Sequence, residues 1–358
     1  KGMVVNVNEA KESIRDSVRK AEQIAGHKLE SAFVGVTGRH ISSMNNRGVV
    51  SITRNDRLVR PDDLKRVLDA ARSIKVPSDH KLLHVIPRTY VVDGQEGVKN
   101  PVGMHGFRLD VETHIITAAV TSVQNLTKSI RAVGIDIDDL VLEPLASAEA
   151  VLTEEERQAG VVLADIGGGT TDIAVFKDKS IYHTAVLPIA GYNVTRDIQV
   201  GLGLSYELSE EMKKKYGSVL PSEDKDEGDR TLNEDGHSIS YRDLSAIIHT
   251  RIEELLRLVV LELPRTDYGK LAPAGIVLTG GCSNLPGIAE LAEHVTRMPV
   301  RIGVPANLYG VSDNLNDPAY ATGVGLLLWK SGSQTAETWV PKGGPLRSFL
   351  SRIFKVFK

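Results

Sequence analysis

The chain has one cysteine, Cys282, in 358 residues. No internal disulfide can form and no cysteine metal site exists, which makes a reducing compartment the natural home. The histidines are scattered, with no HExxH or similar spacing. No apolar run reaches about 18 residues, so no stretch reads as a bilayer-spanning helix. An excess of charge of one sign is also missing. Lys and Arg number 43 against 46 Asp and Glu, a net charge of −3, which is not basic enough to suggest nucleic acid as a partner. With 41% hydrophobic and 25% charged residues, the composition is that of an ordinary soluble chain long enough for two domains or more. The first residue is Lys rather than Met, so the lack of a signal peptide there carries little weight.

What the sequence does hold is DIGGGTTD, residues 165–172. An apolar strand (161–164) precedes it and another (173–176) follows; a polar turn and a third strand (181–187) complete a meander. Three glycines exceed what a tight hairpin needs. Glycine lets backbone amides approach a ligand closely, and turn amides make an anion-binding concavity. Phosphate is the obvious anion. Asp165 is placed to hold a hydrated Mg²⁺, and Thr170 and Thr171 add hydroxyls. The competing explanation is a glycine-rich hairpin with a capping Asp. The dinucleotide fingerprint fits poorly, because that motif opens a helix and here a strand follows.

Upstream, periodicity predicts a helix over 9–25 capped by Asn8 and stopped by Gly26, then a buried strand at 31–38. A strand at about 41–53, a helix from Pro61 to about Ile74, strands at 81–92 and 107–120, a helix opened by a Thr121–Gln124 capping box and a strand at 139–143 give the order βαββαβ, a unit able to fold by itself. Thr153 and Glu156 form another capping box. Residues 206–216 are predicted helical, 222–230 a charged surface loop, Tyr241–Leu263 a long amphipathic helix, 275–279 a strand entering TGGCSNLPG, and 319–330 a helix containing GVG. Residues 331–344 read as a linker.

TGG at 279–281 lies between a strand and a helix, where free amides and the helix dipole favour anions; alone it is a weak signal and reads more readily as a structural turn. GVG at 323–325 alone means close helix packing. The three glycine sites in this order resemble the actin-like ATPase superfamily, with DIGGGTTD similar to its second phosphate loop, AGIVLTGG to its adenosine loop and YATGVGLL to its second connecting helix. Within it, LHVIPRTYVVDGQEGVKNPVGMHG (83–106), VLTEEERQAGVVLADIGGGTTDIAVF (151–176) and AGIVLTGGCSNLPGIAEL (274–291) closely resemble the FtsA family of cell-division proteins. The resemblance implies an α/β, ribonuclease H-like fold of two lobes. Subdomain 1A would take 1–40, 145–160 and 318–332; the inserted βαββαβ subdomain 1C, 41–144; subdomain 2A, 161–205 and 272–317; and subdomain 2B, 206–271. A linker at 333–344 and an amphipathic membrane-targeting helix at 345–358 would follow. That family opens with a hairpin carrying a first phosphate loop, which nothing before residue 9 resembles; the chain is expected to start after it, with weakened ATP affinity.

Carried over residue by residue, the resemblance implies ATP and Mg²⁺ as cofactors. Asp165 would orient the Mg²⁺ shell, and Gly167, Gly168, Gly169, Thr170 and Thr171 the phosphates. Glu210 and Lys213 would meet ribose and adenine, an exposed i, i+3 ion pair being the alternative. Gly280, Gly281 and Asn284 match the adenosine loop. Glu149 would position the attacking water, though a surface Glu explains it as well. Arg251 would lie near partner contacts or be an ordinary surface Arg. At most a weak ATPase is expected, acting mainly as an adaptor.

The last fourteen residues, PLRSFLSRIFKVFK, place Leu346, Phe349, Leu350, Ile353, Phe354 and Phe357 on one helical face at about 100° per residue. Arg347, Arg352, Lys355 and Lys358 fall on the other, and no acidic residue follows Glu337. Such a segment is either a terminal helix docked on the core or an in-plane helix on anionic lipid, and the preceding linker and cations favour lipid. Binding by one copy should be modest and by an array tight. The resemblance implies a filament at the cytoplasmic face of the membrane that tethers the FtsZ ring through the FtsZ C-terminal peptide and recruits later division proteins. Two rivals are a sugar kinase of the same superfamily, which needs a second substrate cleft, and a pilus-assembly ATPase of the PilM type.

Overall fold

The computed structural model describes residues 2–220, 230–264, 268–306 and 315–329. The expected linker and amphipathic tail lie outside the described residues, as does nearly all of the charged loop at 222–230.

Four sheets occur among the described residues, one of them the small β10–β11 hairpin, and the other three organise the fold. The central one has five strands, in the order β13 (Val300–Ile302), β12 (Ile276–Thr279), β7 (Val161–Ile166), β8 (Thr171–Lys177), β9 (Ser180–Leu187). The strands β7, β8 and β9 form the antiparallel meander, while β12 runs parallel to β7 and β13. All six residues of β7 are buried, as a sheet covered on both faces requires of its middle strand. On one face pack helices α6 (Gly191–Leu202), α7 (Tyr206–Tyr216), α8 (Tyr241–Glu262) and α10 (Ile288–Thr296), around Ile166, Ile198, Met212 and Ile248. A short helix α9 (Tyr268–Leu271) precedes β12. On the other face lie α4 (Glu143–Val151) and α11 (Ala321–Leu328), which share a second core with the parallel strand pair β1 (Ser31–Val36) and β6 (Asp136–Leu142). The two helices touch closely. A Cβ on Gly325 would come within 1.8 Å of the Ala146 carbonyl oxygen, so the second glycine of GVG is a packing requirement.

The third sheet is antiparallel, in the order β2 (Ile41–Ser51), β5 (Arg108–Ala119), β3 (His80–Val92), β4 (Gln95–Val98). Helix α2 (Pro61–Arg72) covers one face, with its Val67 in one buried cluster with Leu109 and Val111 of β5. The edge of the central sheet meets this unit: Ser43 Oγ donates to Thr184 O at 2.8 Å, and Asn45 Nδ2 to Tyr182 O at 3.3 Å.

Several local expectations change. The strand expected to close the inserted unit, β6, pairs with β1 instead, and the fourth place in the sheet goes to β4. Helix α1 (Val7–Ala25) is capped by Asn6, whose side chain accepts from the amides of Asn8 and Glu9, not by Asn8. The Thr121–Gln124 box is absent: β5 runs directly into α3 (Val120–Arg131), and the first helical amide donates to Asp79 O at 2.8 Å. The Thr153–Glu156 box is present, opening α5 (Glu154–Ala159). Helices α4 and α6, strand β4 and the hairpin β10 (Thr231–Glu234)–β11 (His237–Ser240) were not anticipated.

Candidate functional site

The glycine turn joins β7 to β8, closed by the Gly167 amide donating to Thr170 O at 3.0 Å. Its carbonyls face the start of α6: the amides of Gly191 and Tyr192 donate to Gly167 O and Gly168 O at 3.1 and 2.7 Å. The twelve-residue helix therefore directs its N-terminal partial positive charge at the turn. Nothing lies within 4 Å of where a Gly168 Cβ would stand, so the loop presents open backbone. Thr171 is buried and donates to Ile189 O at 2.7 Å, fixing the root of the turn.

Three carboxyl groups gather beside this turn. Asp165 accepts from Ser147 Oγ of α4 at 2.5 Å and from Thr322 Oγ1 of α11 at 2.9 Å. Asp172 accepts from Thr37 Oγ1. Burial raises Asp165 above the usual carboxylate range despite its two hydroxyl donors. Burial also pushes Asp172 up to about 7, against the Thr37 hydrogen bond and with the Asp165 charge adding. The third group is Glu143, at the first position of α4. Burial and the charges of Asp172 and Asp165 push it up to about 8.

Glu143 was missed in the sequence, and Glu149 was expected in such a place. Helix geometry separates them. Glu143 and Ser147 are i and i+4 on the face toward Asp165, whereas Glu149 lies about 200° round from Ser147. There it accepts from Arg157 Nη1 at 2.9 Å in an ordinary ion pair. Six residues further along the helix, it is turned away from the glycine turn.

The other expected residues converge. A cleft of about 420 Å³ is lined by Gly167, Gly168, Glu210, Lys213, Gly281 and Asn284, with Cys282, Leu285 and Pro286 as its apolar side. The Lys213 ammonium is buried and donates to Glu210 Oε2 at 2.6 Å, Thr195 Oγ1 at 2.9 Å and Gly191 O at 3.3 Å. Burial raises Glu210, but the hydrogen bonds from Lys213 and Thr195 outweigh it and hold that carboxyl at about 2. The pair is therefore a built feature of the cleft wall rather than an exposed i, i+3 bridge. Asn284 Nδ2 donates to Asp317 Oδ1 at 2.8 Å. Gly280 has φ +83°, and a Cβ on it would lie 2.4 Å from Asp165 Oδ1, so the two glycine loops meet back to back. Tyr192 and Tyr206 line an adjoining hollow with Gly168, Gly169, Glu210 and Lys213. Their rings, 5.8 Å apart, are a feature the sequence did not signal.

Arg251 stands apart from this cleft. It pairs through two nitrogens with Asp197, and with Glu254 one turn along α8. The predicted lipid-facing residues fall outside the described residues. No described helix is long and apolar enough to cross a membrane.

The pattern of the family described as "Cell division protein FtsA" matches residues 162–325, and that of the "SHS2 domain inserted in FTSA" matches residues 38–117. The chain is 46% identical over 341 residues to "Cell division protein FtsA" of Pseudomonas aeruginosa, covering 92% of this chain and 79% of that protein. It is 41% identical over 335 residues to the protein of the same name from Neisseria meningitidis serogroup B, covering 91% and 80%. Among solved structures, the "PilM-PilN type IV pilus biogenesis complex" superposes with a TM-score of 0.61 over 91% of this chain and 86% of that chain. At 18% identity that likeness speaks for the fold alone. A central sheet carrying two back-to-back glycine loops, the β1–β6 pair packed beyond α4 and α11, and a four-stranded sheet in the stretch that the SHS2 pattern matches, together with identities above 40% along nine-tenths of the chain, lead to one conclusion: the fold is actin-like, and the chain belongs to the FtsA family of cell-division proteins.

Proposed function

We propose that the cleft between the glycine loops binds ATP with Mg²⁺. We further propose that the chain, so loaded, assembles as a filament on the cytoplasmic face of the membrane, tethers FtsZ and recruits later division proteins. The observation that carries the nucleotide reading is convergence. Gly167, Gly168, Glu210, Lys213, Gly281 and Asn284, drawn from three distant stretches of sequence, line a single space of about 420 Å³. That volume suits a small-molecule ligand. In this reading the turn amides and α6 take the phosphates, Lys213 and Glu210 the ribose and base, and Leu285 and Pro286 the apolar face of the base.

The residues present also fit a magnesium ion. Among the described residues no three side chains form a direct ligand set, so the fit is to an ion that keeps its waters. Glu143, Asp165 and Asp172 supply acceptors for such waters, and their mutual repulsion is relieved by a cation. When bound, the ion neutralises phosphate charge. The chain's own part is to hold Asp165 in place through Ser147 and Thr322. Arg251, Asp197 and Glu254 mark a surface of the lobe that carries α8, where the FtsZ C-terminal peptide would dock.

The test is electron microscopy on anionic lipid monolayers, with and without ATP, using the chain with and without residues 345–358. Filaments that need both ATP and the tail support the proposal. Equal liposome pelleting of the two forms would remove the membrane tether, and rapid phosphoryl transfer to any of a panel of sugars would favour a kinase.

A further inference from the structure

Asp165 and Asp172 belong to the central sheet, yet the hydroxyls that satisfy them come from the other lobe. Two, Ser147 and Thr322, sit on helices packed against that sheet and reach Asp165 only. The third, Thr37, is different. It directly follows β1 and sends its hydroxyl across to Asp172 Oδ1. The same Thr37 oxygen lies 3.5 Å from the hydroxyl of Thr170, the last residue of the glycine turn. Asp172 is 2% exposed and Thr170 6%, so water competes little for these bonds.

A threonine hydroxyl has one proton to give and two lone pairs. With its proton committed to Asp172, Thr37 has only acceptor capacity left for Thr170. That arrangement keeps the Thr170 side chain against Thr37 at the end of β1. The three residues form a chain from β1 to the turn that none of the expected site residues explains.

We propose that Thr37 is a positioning residue of the nucleotide site: by donating to Asp172 beside Thr170 it ties the end of β1 to the root of the glycine turn and so holds the turn's backbone in place for the phosphates. Thr37 does not line the cleft that holds Lys213 and Asn284. Its effect on ligand therefore passes through Asp172 and Thr170. The inference rests on the nucleotide reading above.

The test uses the full chain and two variants, Thr37→Val, which keeps the shape and loses the hydroxyl, and Thr37→Ser, which keeps the hydroxyl. Equilibrium binding of ATP with Mg²⁺ and of adenosine is measured for each, together with the melt without ligand. Thr37→Val should weaken ATP about tenfold, the value of a hydrogen bond lost at a charged group. Thr37→Ser should stay within about threefold of the unaltered chain, and adenosine, which lacks phosphates, should bind all three alike. If the valine variant loses its cooperative melt, Thr37→Ala is read by the same criteria. No loss of ATP affinity, or an equal loss for ATP and adenosine, overturns the proposal. If the unaltered chain binds neither ligand, the nucleotide reading itself fails and takes this inference with it.

Discussion

Asp165 and Asp172 are paired directly across the first hairpin of the central sheet, one on β7 and one on β8. Two carboxyl groups on neighbouring strands of a buried sheet are costly unless something shares their charge. Here hydroxyls from Ser147, Thr322 and Thr37 do part of this, and protonation does more.

That arrangement gives a pH dependence. Asp172 and Glu143 hold their protons more tightly folded than unfolded, at about 7 and about 8. Raising the pH from about 4 through about 8 strips protons that the folded state retains, so stability falls across that window. Below about pH 4 both states are protonated and the effect vanishes. Melting temperatures between about pH 6 and pH 9 should decline in the unaltered chain, decline less in Asp172→Asn and Glu143→Gln, and decline less with Mg²⁺ present. A decline that neither variant softens would place its origin elsewhere.

The contact between α4 and α11 can be tested with two neighbouring glycines. A Cβ at Gly325 would press on the Ala146 backbone, whereas nothing lies within 4 Å of one at Gly323. Gly325→Ala should destabilise by about 2 kcal/mol or more through overpacking. Gly323→Ala should be neutral or stabilise by up to about 1 kcal/mol, because alanine favours the helix. Chemical denaturation of both variants checks the contrast.

Lys213 and Glu210 should separate binding from stability. Lys213→Met leaves Glu210 with Lys214 at 3.1 Å, so the fold should lose only about 1 kcal/mol while nucleotide affinity drops at least about tenfold. Glu210→Gln leaves a buried ammonium without its counter-charge and should cost more stability, about 2–3 kcal/mol. Calorimetric binding and urea melts on the same samples give both quantities.

Cys282 offers an internal reporter. It lines the cleft, and burial pushes its thiol up to about 11. Alkylation near neutral pH should be slow, because the thiolate is the reacting form. Saturating nucleotide should slow it further, by at least about fivefold if the open, unliganded cleft is the reagent's route. Mass spectrometry of labelled chain with and without ATP checks this, and equal rates would put the ligand elsewhere.

Legibility in the sequence followed how local each signal was. Helix α7 was readable over 206–216 because Ser205 caps it and its apolar period is clean. The Thr153–Glu156 box was readable because it is complete within four residues. The pattern alone does not decide that Asn6, two residues before the expected Asn8, is the residue that stays outside the helix and caps it. Helix α6 was missed because GYNVTRDIQVGL mixes glycine and β-branched residues, and its stability comes from Val194 and Ile198 in the core. The return of β6 to pair with β1, 105 residues earlier at their first paired residues, Ser31 and Asp136, is a tertiary choice with no local mark. Glu143 was missed for a similar reason. Its sequence, EPLASAEA, looks like a Pro-opened helix start, and only the fold brings two aspartates beside it. Glu149 was implied by the resemblance, as the residue ahead of the glycine loop, but helix periodicity sends it to the opposite side from Ser147, where it pairs with Arg157.

The most direct measurement is a crystal structure of the chain with ADP and Mg²⁺. The phosphates should lie against the Gly167–Thr170 turn, with the base between Lys213 and Asn284 and the ion's waters on Asp165. A nucleotide bound elsewhere, or a glycine turn that stays empty at saturating ligand, would contradict the assignment of this cleft.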